Sequence, residues 1–255
     1  MESFNPFSLK GKTIIVTGAS SGIGKQCAID CSKMGAKIIL IARSEERLKE
    51  TLAMMEGEGH FLMTLNLMDF DKIPEAVNTI VNQVGPINGV LHCAGISSTE
   101  PLKIMNADRL CEFYRANVIS AMMLSKEICI MKHFCKNGCS IVFFSSVMGV
   151  VGESMKSAYS LTKAALIGGA RSLACEYAKK KIRFNCVSPG VIETPININQ
   201  PYMKDPELRK QFEAKHLLGL GQCTDISNAC IYLLSDASRW VTGQNFIIDG
   251  GYTIL

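Results

Sequence analysis

The segment AYSLTKAAL, Ala158–Leu166, sets a phenol at Tyr159 and an ammonium at Lys163 four residues apart in an otherwise small and apolar run. Residues four apart share one face of a helix. Two readings are open for such a pair. It can be two polar tips reaching past apolar neighbours, or an acid/base pair. A free phenol with a pKa near ~10 is ionised in about one molecule per thousand at neutral pH. An adjacent ammonium favours the phenolate and lowers that value, which suits the pair to moving a proton to or from a substrate oxygen. A third group should orient that oxygen. Ser146 ends the run SIVFFSS, 13 residues before Tyr159 (159 − 146), far enough for a loop and a first helical turn. The end of a strand is where open α/β sheets place ligands.

A second constellation lies near the start. TGASSGIG, Thr17–Gly24, follows an apolar run and opens a helical pattern. Gly18 permits a sharp turn, Gly22 a close approach of backbone to a pyrophosphate, and Gly24 close helix–strand packing. The helix N-terminus then offers free N–H groups to an anion. The spacing is Gly-x3-Gly-x-Gly, and a plain glycine-rich turn is the competing account. Ala42, Arg43 and Ser44 follow the next apolar run, KIILIA. A carboxylate there would hydrogen-bond the ribose 2′-hydroxyl of NAD, whereas an arginine accommodates a 2′-phosphate. Arg43, with the hydroxyls of Ser20 and Ser21, therefore favours NADP (NADPH) over NAD, unless Arg43 is simply solvated.

The elements that must position these groups are legible as periodicity. Strands are expected at 13–17, 37–42, 60–65, 89–94, 140–146, 182–188 and 244–248. Helices are expected at 23–34, 44–55, 71–84, about 107–134, 157–180 and 225–234. Continuous apolar strands alternating with helices imply a parallel sheet covered on both faces. The fold class is thus α/β: a single doubly wound, Rossmann-like domain over 1–255, with a mostly parallel sheet of about seven strands. The long irregular stretch from Pro189 to about Pro206 has the length of a lid, with a lid region of about 189–217.

Composition limits the alternatives. With 47% apolar residues the 255-residue chain can bury a substantial core. A net charge of +4, with KKK at 179–181 as the longest basic run, does not make a nucleic-acid surface. No apolar stretch approaches the ~18 residues of a membrane span. The start, MESFNPFSLKGK, has no apolar core of a signal peptide, so a cytoplasmic protein is expected. The 11 cysteines contain no Cys-x-x-Cys, and the four histidines are scattered. No metal site is expected, and most thiols read as small core residues in a reducing compartment.

Taken together, TGASSGIG, a serine 13 residues before Tyr-x3-Lys, and the Pro-Gly of SPGVIETP resemble the short-chain dehydrogenase/reductase family from about Leu9 to Tyr252. Within it the chain is similar to 3-oxoacyl-[acyl-carrier-protein] reductases. The resemblance implies Tyr159 as catalytic acid/base, Lys163 as its tuner and as a holder of the nicotinamide ribose, and Ser146 as the group that polarises the substrate oxygen. It implies Asn117, in RANVIS, as the holder of a proton-relay water, and Ser145 as a structural neighbour. It implies cofactor contacts at Gly18, Ser20, Ser21, Gly22, Ile23, Gly24, Arg43 and Ser44. Further contacts are implied at Asn66 and Leu67, at Cys93, Ala94 and Gly95, at Tyr159 and Lys163, and at Pro189, Gly190, Ile192 and Thr194. Asn66, where the family usually has an aspartate beside the adenine, is equally well read as a turn cap. The chain departs from the family at HCAG, His92–Gly95, where NNAG is usual. His92 is read as a satisfied strand-end residue and Cys93 as an inert thiol.

The implied reaction is NADPH-dependent reduction of a ketone to a secondary alcohol, or the reverse, on a small-molecule or acyl-carrier substrate. The basic cluster Lys179, Lys180, Lys181 and Arg183 could meet an acidic carrier, or could merely complement a helix dipole. The alternatives are a dehydrogenase of a sugar, steroid or other secondary alcohol, and a non-catalytic dinucleotide-binding sensor. The family resemblance also implies a homo-oligomer, a homotetramer or dimer, through VTGQNFIIDGGYTIL. No nucleic-acid or membrane partner is expected.

Overall fold

The computed structural model describes residues 4–194 and 204–255. The strands are β1 (Thr13–Thr17), β2 (Lys37–Ala42), β3 (Phe61–Thr64), β4 (Gly89–His92), β5 (Cys139–Phe144), β6 (Ile182–Pro189) and β7 (Asn245–Ile248). They form one sheet in the order β3-β2-β1-β4-β5-β6-β7. Every pair is parallel, for example Val16 beside Leu40 on one side and Leu91 on the other. The expected mostly parallel sheet is thus wholly parallel.

The helices are α1 (Gly22–Lys33), α2 (Glu45–Leu52), α3 (Ile73–Val84), α4 (Ala107–Tyr114), α5 (Ser120–Ile128), α6 (Ser157–Tyr177), α7 (Pro206–Ala214) and α8 (Cys223–Leu234). Successive strand residues point to opposite faces. Ile15, Ile39, Ile41, Ile141 and Phe143 therefore pack in one layer with α3, α5 and α6. Ile14, Val16, Ile38, Leu40, Val142 and Phe144 pack in the other with α1, α2 and α8. Both faces are covered, which is why these strands read as unbroken apolar runs.

Two expectations are corrected. The single helix expected over 107–134 is two helices joined by a π-helical turn, Arg115–Ile119, and it ends at Ile128. The π turn admits an extra residue to the helical ladder and re-aims Asn117. The helix α7 was not among the expected ones; it begins at Pro206, where the irregular stretch after Pro189 was expected to end. Asp205 accepts from the N–H groups of Glu207 and Leu208 (2.9 and 3.1 Å), and Pro206 occupies the first turn. Of the expected lid, residues 195–203 lie outside the described residues.

The strand order reverses between β1 and β4, which opens a crevice at the strand C-termini. The glycine turn fits there only without side chains. Gly18 has φ +65°, and a Cβ on it would lie 3.0 Å from the Ala94 backbone. A Cβ on Gly24 would lie 2.5 Å from the Gly18 carbonyl oxygen. Gly24→Ala should therefore destabilise the fold by about 1–3 kcal/mol in urea unfolding, as overpacking against backbone does. Gly152→Ala has nothing within 4 Å of the new methyl. It should change stability by no more than about 0.5 kcal/mol.

Candidate active site

A cleft of about 610 Å³ opens at the strand C-termini. Its floor is the turn after β1. Ser21 stands at the N-cap of α1 but makes no side-chain cap, whereas Ser44, Asn106 and Asp205 cap α2, α4 and α7. The first N–H groups of α1 are therefore left for an anion. Gly18, Ser20, Ser21, Gly22, Ile23 and Gly24 line this end of the cleft.

Arg43 and Ser44, Asn66 and Leu67, Cys93, Ala94 and Gly95, and Thr194 also line the cleft. Asn66 caps its own turn, its Oδ1 accepting from the Met68 N–H at 3.2 Å, and it also forms part of the cleft wall. Tyr159, Lys163, Pro189, Gly190 and Ile192 do not line it. Ile192 is buried and its backbone bridges Gly221, so its side chain belongs to the core. Gly190 donates to Ile248 O at 2.9 Å and lies close on Asp249, at the corner of β6 and β7.

Two residues went unnoticed in the sequence. Arg47 lines the cleft beside Arg43, and among the described residues neither guanidinium has an ion pair or hydrogen bond. The two arginines flank the Ser44 cap of α2, one residue before it and three after, which was a usable signal. His216 is buried and holds the segment after β6. Its Nδ1 donates to Phe212 O (2.8 Å) and its Nε2 accepts from the Val191 N–H (3.2 Å), so the ring is the neutral Nδ1–H tautomer. Its ring also packs on Tyr252, with centroids 4.9 Å apart. Nothing near His216 in the chain marks it, because its partners are distant in sequence.

Beside the cleft, four polar residues come together from three elements. Ser146 follows β5, Tyr159 and Lys163 lie on the first turns of α6, and Asn117 lies in the π turn. Ser146 faces the Tyr159 phenol and favours its ionised form. Lys163 Nζ donates to Phe144 O at 2.7 Å and stands 5.4 Å from the Tyr159 ring centroid. Asn117 Nδ2 donates to Ile96 O and to Thr162 Oγ1, both at 3.0 Å, and its Oδ1 accepts from the Ile96 N–H at 2.7 Å. One side chain thus ties the loop after β4 to the helix that carries Tyr159. His92 is buried against Phe143, its Nε2 meets Ser125 Oγ at 2.9 Å, and burial pushes its pKa down to about 3. It is a neutral strand-end residue.

A sequence model of the family described as enoyl-(acyl carrier protein) reductase matches residues 18–253. The chain belongs to the short-chain dehydrogenase/reductase family. It is 33% identical to a tropinone reductase homolog of Arabidopsis thaliana, over 97% of this chain and 92% of that protein. It is 30% identical to glucose 1-dehydrogenase of Gluconobacter oxydans, over 96% and 92%. A solved structure described as a short-chain alcohol dehydrogenase from Sinorhizobium meliloti superposes with TM-score 0.91 at 27% identity, covering 98% and 99% of the two chains. A short-chain type dehydrogenase/reductase from Mycobacterium ulcerans superposes with TM-score 0.89 at 28% identity, covering 97% of this chain and 91% of that one. The chain is an oxidoreductase of CH–OH groups, of a family that uses nicotinamide dinucleotides. Among the described residues no helix is long and apolar enough to cross a membrane.

Burial is the first influence on both members of the Tyr159–Lys163 pair. Burial raises the Tyr159 phenol above its usual value, and only the Ser146 hydrogen bond opposes this. The Lys163 ammonium is directed to Phe144 O and stands over the Tyr159 ring. Burial also pulls Lys163 down to about 8, against the smaller opposing pull of Cys186 and Cys93. The folded state therefore carries a charged, desolvated lysine at pH 7, at a cost of about 3 kcal/mol. Between pH 8 and 10.5 the unfolded chain holds a proton that the folded chain has released, so this contribution to stability rises with pH. Lys163→Met should accordingly be the more stable protein at pH 7 by about 1–3 kcal/mol. Its advantage should shrink by about pH 10. Urea unfolding of both proteins at the two pH values measures this, and an unchanged gap would remove the buried-charge cost.

Proposed function

We propose that the chain reduces a small ketone to a secondary alcohol, or runs the reverse, with NADPH as the partner. The observation that carries this reading is the Tyr159–Lys163 pair, with Ser146 facing the phenol, beside a cleft whose floor is an uncapped helix N-terminus. The bound dinucleotide supplies the hydride, which adds to the carbonyl carbon while a proton goes to the oxygen, so R₂C=O becomes R₂CH–OH. Ser146 holds the carbonyl oxygen, and Tyr159 gives it the phenolic proton. Lys163, charged at pH 7, stabilises the phenolate left behind and binds ribose hydroxyls. Asn117 fixes the loop after β4 relative to α6, and its remaining capacity suits a water that returns a proton.

The dinucleotide fits the residues present. The pyrophosphate would meet the α1 N-terminus, and Arg43 with Arg47 would hold a 2′-phosphate. Pro189, Gly190, Ile192 and Thr194 would meet the nicotinamide end, with Pro189, Gly190 and Ile192 acting through backbone. The whole chain would act as one domain, with 189–217 as its lid. Exposed Trp240, Ile247, Ile254 and Leu255 support a homo-oligomer built on the C-terminal segment.

A free small molecule is favoured over an acyl carrier. Lys181 and Arg183 lie where β5 and β6 begin, opposite the Ser146 end by about 17 Å of strand. Arg183 is also bound to Leu233 O and Val241 O at 2.6 and 3.0 Å. A sugar, steroid or other secondary alcohol remains the alternative substrate class, and a sensor without turnover is separated by assay. Tyr159→Phe should bind NADPH but lose turnover against a panel of ketones by about a hundredfold or more. A variant that keeps a tenth of the wild-type kcat would remove Tyr159 from its role.

Cofactor choice is tested separately. A hydrogen bond to a charged group contributes roughly 1.5–3 kcal/mol, about ten- to a hundredfold in affinity. The wild type should prefer NADPH over NADH by at least about tenfold in kcat/KM, and Arg43→Ala and Arg47→Ala should each lose part of that preference through KM for NADPH. Equal use of both cofactors by the wild type would refute this.

A further inference from the structure

The loop after β4 is fastened to α6 at two places, and Tyr159 stands midway between them. Three residues after Tyr159, Thr162 Oγ1 accepts from Asn117 Nδ2 at 3.0 Å, and Asn117 also holds both backbone groups of Ile96. Three residues before Tyr159, the Lys156 ammonium donates to Thr99 Oγ1 at 2.6 Å and to Ser98 O at 3.2 Å. A backbone bond runs alongside, from the Glu100 N–H to Met155 O at 2.8 Å. Glu100 is held in turn from α4 by Arg109, whose Nε lies 3.1 and 3.2 Å from the two carboxylate oxygens.

Local chemistry opposes the fastening at Lys156. This residue stands at the N-cap of α6, where a cation meets the positive end of the helix, and no acidic residue lies in the first turn. Its side chain makes no cap. It is half-buried, and desolvation pulls its ammonium below the usual lysine range, against the smaller pull of Glu153. Met155, just before it, has φ +64°, a left-handed conformation that side chains avoid. Such unfavourable choices persist only where surrounding contacts over-determine them, and they cluster at functional sites.

We propose that Lys156 is a positioning residue: by tying Ser98 and Thr99 to the start of α6, it fixes the Tyr159 phenol relative to Ser146 and the substrate oxygen. The first N–H groups of a helix have no partner within it. α6 also starts without a side-chain cap, so its first turn, which carries Tyr159, is the part most free to fray. Lys156 holds this turn from the N-terminal side, as Asn117 and Thr162 hold it from the other. The same tie steadies the cleft wall, because Ile96 and Ser97, which line the cleft, lie between the two fastenings. Proton transfer needs its donor within ~2.6–3.2 Å of the acceptor, and a misplacement of ~1 Å can cost about a hundredfold in rate. Lys156 acts through Tyr159 and not on the substrate, and its role rests on the ketone–alcohol reading above.

The test compares the full-length wild type with Lys156→Met, Lys156→Arg, Thr99→Val and the Lys156→Met/Thr99→Val double variant. Thr99 is exposed, so its change leaves the core intact. kcat and KM are measured with NADPH and the ketone that the wild type reduces fastest. NADPH is titrated by fluorescence, and hydrogen exchange is followed over residues 157–163. Lys156→Met should lower kcat about tenfold or more, with NADPH affinity unchanged and faster exchange in the first turn of α6. Thr99→Val should lose a smaller part of kcat, and the double variant no more than Lys156→Met alone, as members of one network do. Lys156→Arg, which keeps charged donors, should recover part of the loss. An unchanged kcat in Lys156→Met, a loss confined to NADPH affinity, no recovery in Lys156→Arg, or losses that multiply in the double variant would each overturn the proposal. If Lys156→Met fails to fold, Thr99→Val decides, and unaltered kcat and exchange in it overturn the role. A wild type that turns over no ketone would instead refute the reading of function, and exchange over 157–163 would still score the tie.

Discussion

The functional end of this sheet depends on how closely three stretches of backbone approach one another: the turn after β1, the first turn of α1 and the end of β4. No side chain fits among them at Gly18 or Gly24. Thr17 closes the arrangement from below, since its hydroxyl accepts from the Ala94 N–H at 3.1 Å while lying 3.4 Å from Leu91 O. Because the packing is backbone on backbone, the helix begins without a side-chain cap and its N–H groups face the cleft. Closeness, a free helix terminus and room for an anion are therefore one constraint.

A second contact of the same kind seats α6, which carries Tyr159 and Lys163. A Cβ on Gly149 would lie 2.7 Å from Ser145 Oγ and 3.0 Å from the Lys163 carbonyl carbon, and Ser145 Oγ donates to Lys163 O at 2.8 Å. The loop after β5 and the start of α6 are thereby held in one relation, which brings Ser146 to Tyr159. Asn117 does the same from the opposite side through Ile96 and Thr162. Such fixed polar groups cost stability where they are buried and charged, as Lys163 is. The return is a site whose dipoles need little reorganisation when charge develops.

Much of this was legible in the residues. Unbroken apolar strands told of a sheet covered on both sides, and the glycine spacing told where a backbone must come close. The four-residue step from Tyr159 to Lys163 marked one helix face. Asp205-Pro206 was equally readable as a helix start, though the length of the preceding stretch obscured it. The limits fall at residues whose partners are remote in the chain. Asn117 looks like a polar residue in a long helix, and nothing local announces the π turn that turns it toward Ile96.

What the sequence by itself determined was periodicity, the positions where a side chain cannot be accommodated, and which functional groups were available. Those follow from local sterics and from the alternation of strand residues between two faces. What only the tertiary structure decided was which groups meet and how charged they are. Lys163 is directed to Phe144 O, and burial raises the Tyr159 phenol. The basic run at 179–183 falls at the far end of the sheet from Ser146. Each outcome depends on burial and on distances between elements far apart in the chain, and a group's desolvation and partners, which set its pKa, exist only once those elements have packed.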